Sequence, residues 1–132
     1  MFAAYGDRIH FVYREYPLPN HQNAKAAAEA GQCANEQGKF WPYHDRLFAN
    51  QQRLTVPDLK QHAAAIGLDA TRFNACVDSH KYASAVEADI RMGNDAGVNG
   101  TPAFFINGRM ISGAQPFEVF KKIIDEELAA RK

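Results

Sequence analysis

The sequence lacks several things, and each shortage excludes a class of function. Among 132 residues only Cys33 and Cys76 are cysteines. They lie far apart and no C-x-x-C is present, so neither a zinc knuckle nor a local redox dithiol can be built from these residues. Charge of one sign is also lacking: 15 basic residues balance 15 acidic ones, and the pI is near 7.0. With no run of Lys or Arg, charge-driven binding to nucleic acid or to an anionic membrane is not expected. No apolar run is long enough to span a bilayer. The start M-F-A-A-Y-G-D-R has neither the basic leader nor the apolar core of a signal peptide. The five histidines, His10, His21, His44, His62 and His80, form no H-x-x-x-H pair, and no metal site is expected. G-x-S-x-G is missing, and Gly97 and Gly100 do not fit a phosphate loop. No cofactor is expected.

What is present suits an ordinary soluble globular protein: 46% hydrophobic and 23% charged residues, enough for one domain with a modest core. Arg8–Tyr16, R-I-H-F-V-Y-R-E-Y, alternates with Ile9, Phe11 and Tyr13 on one face, which predicts a strand ended by Pro17 and Pro19. Phe2–Tyr5 reads as the last turn of a helix. Asn20 would cap an Ala-rich helix over about residues 21–37, closed by Gly38. F-W-P-Y-H-D-R-L-F follows, with Pro42 in its first turn. Thr55 caps a third helix with Pro57 just inside and Gly67 at its end. Asp69 or Thr71 caps a short fourth helix carrying Phe73, Cys76 and Val77. Ser79 opens a fifth over roughly residues 80–96, with Val86, Ile90 and Met92 as its apolar stripe.

Then comes V-N-G-T-P-A-F-F-I-N-G, Val98 to Gly108. Ala103–Ile106 predicts a strand, Asn107-Gly108 a two-residue hairpin turn that needs positive φ at both positions, and Arg109–Ser112 the antiparallel return. Gln115-Pro116 opens a last helix with Phe117, Phe120, Ile124 and Leu128 at helical spacing. Proline cannot donate to a ladder, so Pro102 belongs at a strand start or an edge. By frequency its peptide bond would be trans, since only about 5–6% of X-Pro bonds are cis.

Three stretches carry a resemblance: R-E-Y-P-L-P-N-H with the Ala-rich helix, E-Q-G-K-F-W-P-Y-H-D-R-L-F, and G-V-N-G-T-P-A-F-F-I-N-G-R-M-I-S-G-A-Q-P-F-E. Together they resemble the DsbA-like thiol-disulfide oxidoreductases over nearly the whole chain. The resemblance implies an α/β fold in one domain: a thioredoxin-like sheet from residues 8–19 and 97–132, with an α-helical bundle inserted at 20–96. It implies a cis Pro102 in a Gly100-Thr101-Pro102 loop, where the residue before the proline pairs with a substrate peptide. It also implies substrate proteins with cysteines, a redox partner protein and a periplasmic or otherwise extracytoplasmic location. The family's first strand and C-x-x-C are expected just upstream of Phe2, and neither is here. The sheet would then be incomplete at its N-terminal side, its central strand missing, and association into a homodimer is expected. Without the low-pKa thiolate such enzymes need, the chain is expected to have little activity of its own. A non-catalytic peptide- or partner-binding thioredoxin-like module is the alternative, and a glutathione-transferase or isomerase relative a third.

For Cys33 and Cys76 three readings stand. They form a structural disulfide, as some members of the family carry a second pair in the helical part; they are buried free thiols acting as small apolar residues; or they are a redox-active pair. Phe40, Trp41, Tyr43, Leu47 and Phe48 are expected to make core. Glu15 is read as a strand-end carboxylate reaching solvent, with a tuned acid as the other option.

Overall fold

The computed structural model describes residues 2–18 and 21–130, with side chains from Ala4 onward. The expected strand stop at Pro19 and helix cap at Asn20 lie outside the described residues. The chain divides into two compact units, Met1–Arg14 with Asn94–Lys132, and Glu15–Gly93.

The second unit is helical. α1 (Phe2–Tyr5) belongs to the other unit; here the elements are α2 (Ala24–Glu36), α3 (Phe40–Ala49), α4 (Val56–Ala65), α5 (Ala70–Asp78) and most of α6 (Ala83–Asp95). α2 packs against α3, α4 and α5. Its buried face carries Ala28, Ala30, Gly31, Cys33 and Ala34, side chains small enough to let neighbouring backbones approach. Tyr43, Leu59, Phe73 and Val77 fill the core they leave. The Tyr43 hydroxyl donates to Leu59 O at 2.8 Å, which satisfies its polar end inside that core.

Local signals set the helix ends. Gly38, at φ +74°, closes α2, with its N–H on Asn35 O and that of Lys39 on Ala34 O. Thr55 caps α4 through a capping box with Asp58. Asp69, not Thr71, caps α5, accepting the Arg72 N–H at 3.0 Å. Replacing Thr55 by Ala leaves an N-terminal donor without its side-chain partner. We expect a loss of about 1 kcal/mol, read as an unchanged urea m-value with a lower midpoint. α6 begins later than Ser79 predicts, because Ser79 to Tyr82 form a turn with His80 at φ +53°. Val86 is buried, but Ile90 is only half-buried and Met92 is exposed.

The first unit holds α1, a 3-10 turn at Gly6–Arg8, the strands β1 (Ala103–Ile106) and β2 (Arg109–Ser112), and α7 (Phe117–Ala130). Tyr5, Ile111, Phe120 and Ile124 form its core. The Tyr5 hydroxyl donates to Asp125 Oδ1 at 2.8 Å. Among the described residues no helix is long and apolar enough to cross a membrane.

The expected strand at Arg8–Tyr16 does not form. Gly6–Arg8 is a 3-10 turn and His10–Leu18 is irregular. The alternation survives in part, with Ile9 and Phe11 half-buried and His10 and Val12 exposed, but Tyr13 is exposed too. A strand exists only through its ladder, and the sheet of the described residues consists of β1 and β2 alone.

Candidate functional site

The hairpin is built as its turn residues demand. Asn107 has φ +49° and Gly108 φ +87°, the left-handed pair of a two-residue loop. The register follows: Ala103 faces Ser112, Phe104 faces Ile111, Phe105 faces Met110 and Ile106 faces Arg109. Gly113 N–H donates to Pro102 O at 2.8 Å, extending the ladder by one bond. Antiparallel pairs alternate between bonded and non-bonded. With Pro102 and Gly113 a bonded pair, Phe104 and Ile106 turn their N–H and C=O groups toward β2. Ala103 and Phe105 turn theirs to the other edge of β1, and no strand lies there among the described residues.

Side chains separate the two faces of this ribbon. Phe104 meets Phe120 edge-on at 4.9 Å, and Ile111 is buried beside it. Phe105 and Met110, opposite each other across the strands, are exposed. At the head of β1 the Thr101–Pro102 peptide bond is cis. Thr101 and Pro102 are exposed and Gly100 is half-buried. Nothing lies within 4 Å of where a Gly100 Cβ would sit, so close approach is not what requires glycine there.

Cys33 of α2 and Cys76 of α5 are joined by a disulfide, Cα atoms 5.9 Å apart. There are no free cysteines among the described residues, which overturns the reading as two free thiols. Cys33 is 1% exposed and Cys76 5%. The bond sits in the helical unit's core, whereas Gly100, Thr101 and Pro102 belong to the other unit.

The other candidates divide. Of the aromatic stretch, Tyr43 is in the core and Leu47 packs against it. Trp41 is 42% exposed and Phe48 57%, so these two are not core: a helix buries one face, and 43 and 47 lie on it. His44 lies between them, edge-on to Trp41 at 5.1 Å and tilted against Phe48 at 4.5 Å. His62 is buried and fully used: Arg46 Nε donates to its Nδ1 and its Nε2–H donates to Arg53 O, both at 2.9 Å. No group of three metal-ligating side chains occurs among the described residues.

Glu15 differs most from the sequence reading. It is 8% exposed, not solvated. Gln32 Nε2 donates to its Oε1 at 3.3 Å, and its own N–H donates to Asp89 Oδ2 at 3.1 Å. Burial first, and the Asp89 charge second, push its carboxyl up to about 7, against the Gln32 bond. Glu36 shows the opposite case. Lys81, Tyr82 and Arg72 all donate to its carboxylate, with Lys81 and Tyr82 the main causes that hold it down at about 2. Neither cluster has a local sequence signal.

The sequence pattern of a family described as thioredoxin matches residues 2–126. The Na(+)/H(+) antiporter NhaA 3 of Salinispora tropica is 34% identical over 125 residues, covering 94% of this chain and 19% of that protein. The antiporter NhaA of Herminiimonas arsenicoxydans is 38% identical over 112 residues, 85% of this chain and 18% of that protein. That of Nitrosospira multiformis is 34% identical over 118 residues, 89% and 19% respectively. The chain thus spans about a fifth of the length of the curated relatives it matches.

Proposed function

This chain belongs to the thioredoxin family, and from that premise we propose that it is the substrate-presenting part of a DsbA-like protein-disulfide oxidoreductase. The observation that carries this is the head of β1. Thr101 and Pro102 are exposed, and the strand they lead into turns Ala103 and Phe105 backbone groups to an edge that has no neighbouring strand among the described residues. An extended peptide satisfies such groups by adding a strand, which would hold a substrate cysteine in line for exchange. The attacking thiolate must come from outside these residues, because the two cysteines here are bonded to each other in a core. The same edge would serve pairing with a second copy. A disulfide such as Cys33–Cys76 persists in an oxidising compartment, which supports an extracytoplasmic place of work.

Amide NMR tests the edge. With an extended cysteine-containing peptide at millimolar concentration, Thr101, Ala103 and Phe105 amides should shift more than Phe104 and Ile106. Unmoved Thr101 and Ala103 signals would overturn the reading. Insulin reduction should stay at background with this chain alone; turnover lost on mutating Cys33 or Cys76 would show that pair to be the redox centre instead.

A second reading has its own observation. The matched relatives bear antiporter names and are about five times as long as the matched stretch. The chain would then be a thioredoxin-like module attached to an ion transporter, binding a partner without exchanging disulfides. Intact mass from the native source, with thiol alkylation, separates the two: two further alkylatable cysteines on a chain of ordinary oxidoreductase size, or a far longer chain.

A further inference from the structure

α6 is attached to the rest of the helical unit largely through polar groups. Val86 is its one buried residue. Lys25 of α2 pairs with Glu87 at 2.8 Å, both about half exposed, a class of contact that holds weakly. Asp89 Oδ2 takes the Glu15 N–H, and this sets one carboxylate against the residue that carries a second carboxyl. Three elements surround the Glu15 side chain. α2 offers the Gln32 amide and, at Gly31, a gap: a Cβ there would lie 3.4 Å from the Phe40 ring of α3 and 3.6 Å from Glu15 Oε1. α3 thus brings an apolar ring. α6 brings Asp89, whose negative charge raises the Glu15 carboxyl.

We propose that Glu15 and Asp89 form a proton-operated latch on α6. With Glu15 protonated, Asp89 holds the extended segment and α6 stays beside it. When Glu15 loses its proton, a buried negative charge stands beside Asp89 with an amide and an aromatic ring for company. Burial and like charge both oppose that state, and the cheapest relief is for the second half of α6 to move off. The Glu15 carboxyl titrates at about 7, so the latch works near neutrality: closed in mild acid, released in mild alkali.

Hydrogen exchange on the whole chain at pH 5.5 and 8.5, corrected for intrinsic rates, tests this. In the wild type, amides of residues 87–93 should lose protection about tenfold at the higher pH, while α4 keeps its own. Glu15→Gln should hold the acid-state protection at both values, and Asp89→Asn should do so in part. Equal protection of 87–93 at both pH values, a matching loss in α4, or a Glu15→Gln variant that loses as much as wild type would each overturn the latch. Should a variant not fold, carboxyl carbon NMR of wild-type Glu15 decides, since a midpoint at an ordinary glutamate value removes the mechanism.

Discussion

Removing the Cys33–Cys76 bond is expected to lower the unfolding free energy by about 4 kcal/mol. The cysteines are 43 residues apart, and the chain-entropy relation for a loop of this length gives about that figure. The closed loop contains α3 and α4, and it ties α2 to α5, two helices that already pack against each other. The bond therefore acts on the unfolded chain, which loses freedom, and asks no rearrangement of the folded one. For a chain of this size a loss of that order lowers Tm by roughly 15 °C. Urea unfolding of the wild type with and without reductant is the direct measurement, with Cys33→Ala/Cys76→Ala as a check that also removes two buried sulfurs. A shift below about 1 kcal/mol would show that the loop is already restricted in the unfolded chain. The same experiment bears on redox activity. A thiol must reach a sulfur to exchange, and these are buried. Dithiothreitol should leave the bond intact in native buffer and cleave it in urea. Rapid reduction in native buffer would make the pair a redox site.

What the sequence revealed divides by range. Thr55, Asp69, Gly38 and Asn107-Gly108 could be read because each acts on backbone within four residues, and the structure uses each at its expected place. The alternation of Arg8–Tyr16 was equally clear and gave no strand, since a ladder depends on a neighbour that no local pattern supplies. In α3 the error was one of period: five large side chains in nine residues cannot all face one way, and Trp41 and Phe48 fall outside. For Glu15 the sequence left a solvated strand-end carboxylate and a tuned acid both open, with nothing local to choose between them. Its environment comes from Gln32, 17 residues on, and Asp89, 74 residues on. The edge of β1 stands between these cases. The hairpin turn fixes its register, and register fixes which backbone groups face outward, so part of that surface follows from Asn107-Gly108 alone.

Glu15→Gln should raise stability at pH 8 by as much as about 3 kcal/mol and change it little near pH 4. The sign follows from linkage. The carboxyl is pushed up to about 7 in the folded protein from the 4.5 of an ordinary glutamate, so between those values the folded chain holds a proton that the unfolded chain has released. Stability from this group is complete below pH 4.5 and is lost as pH rises through 7. A displacement of that size corresponds to about 3 kcal/mol. Glutamine carries no charge, can still accept from Gln32, and removes the loss. Glu36 works in a separate window and with the opposite sign. Held down at about 2, it stabilises above 4.5 and stops doing so as pH falls through 2, so it cannot mimic the Glu15 effect between pH 5 and 8. The figure for Glu15 is a ceiling, because a folded chain that frees α6 relieves part of the cost before it unfolds. Urea midpoints of wild type and variant at pH 4.5, 6 and 8 give the difference directly. A difference that stays constant across the three would mean that Glu15 does not titrate in this range, and the latch on α6 would fall with it.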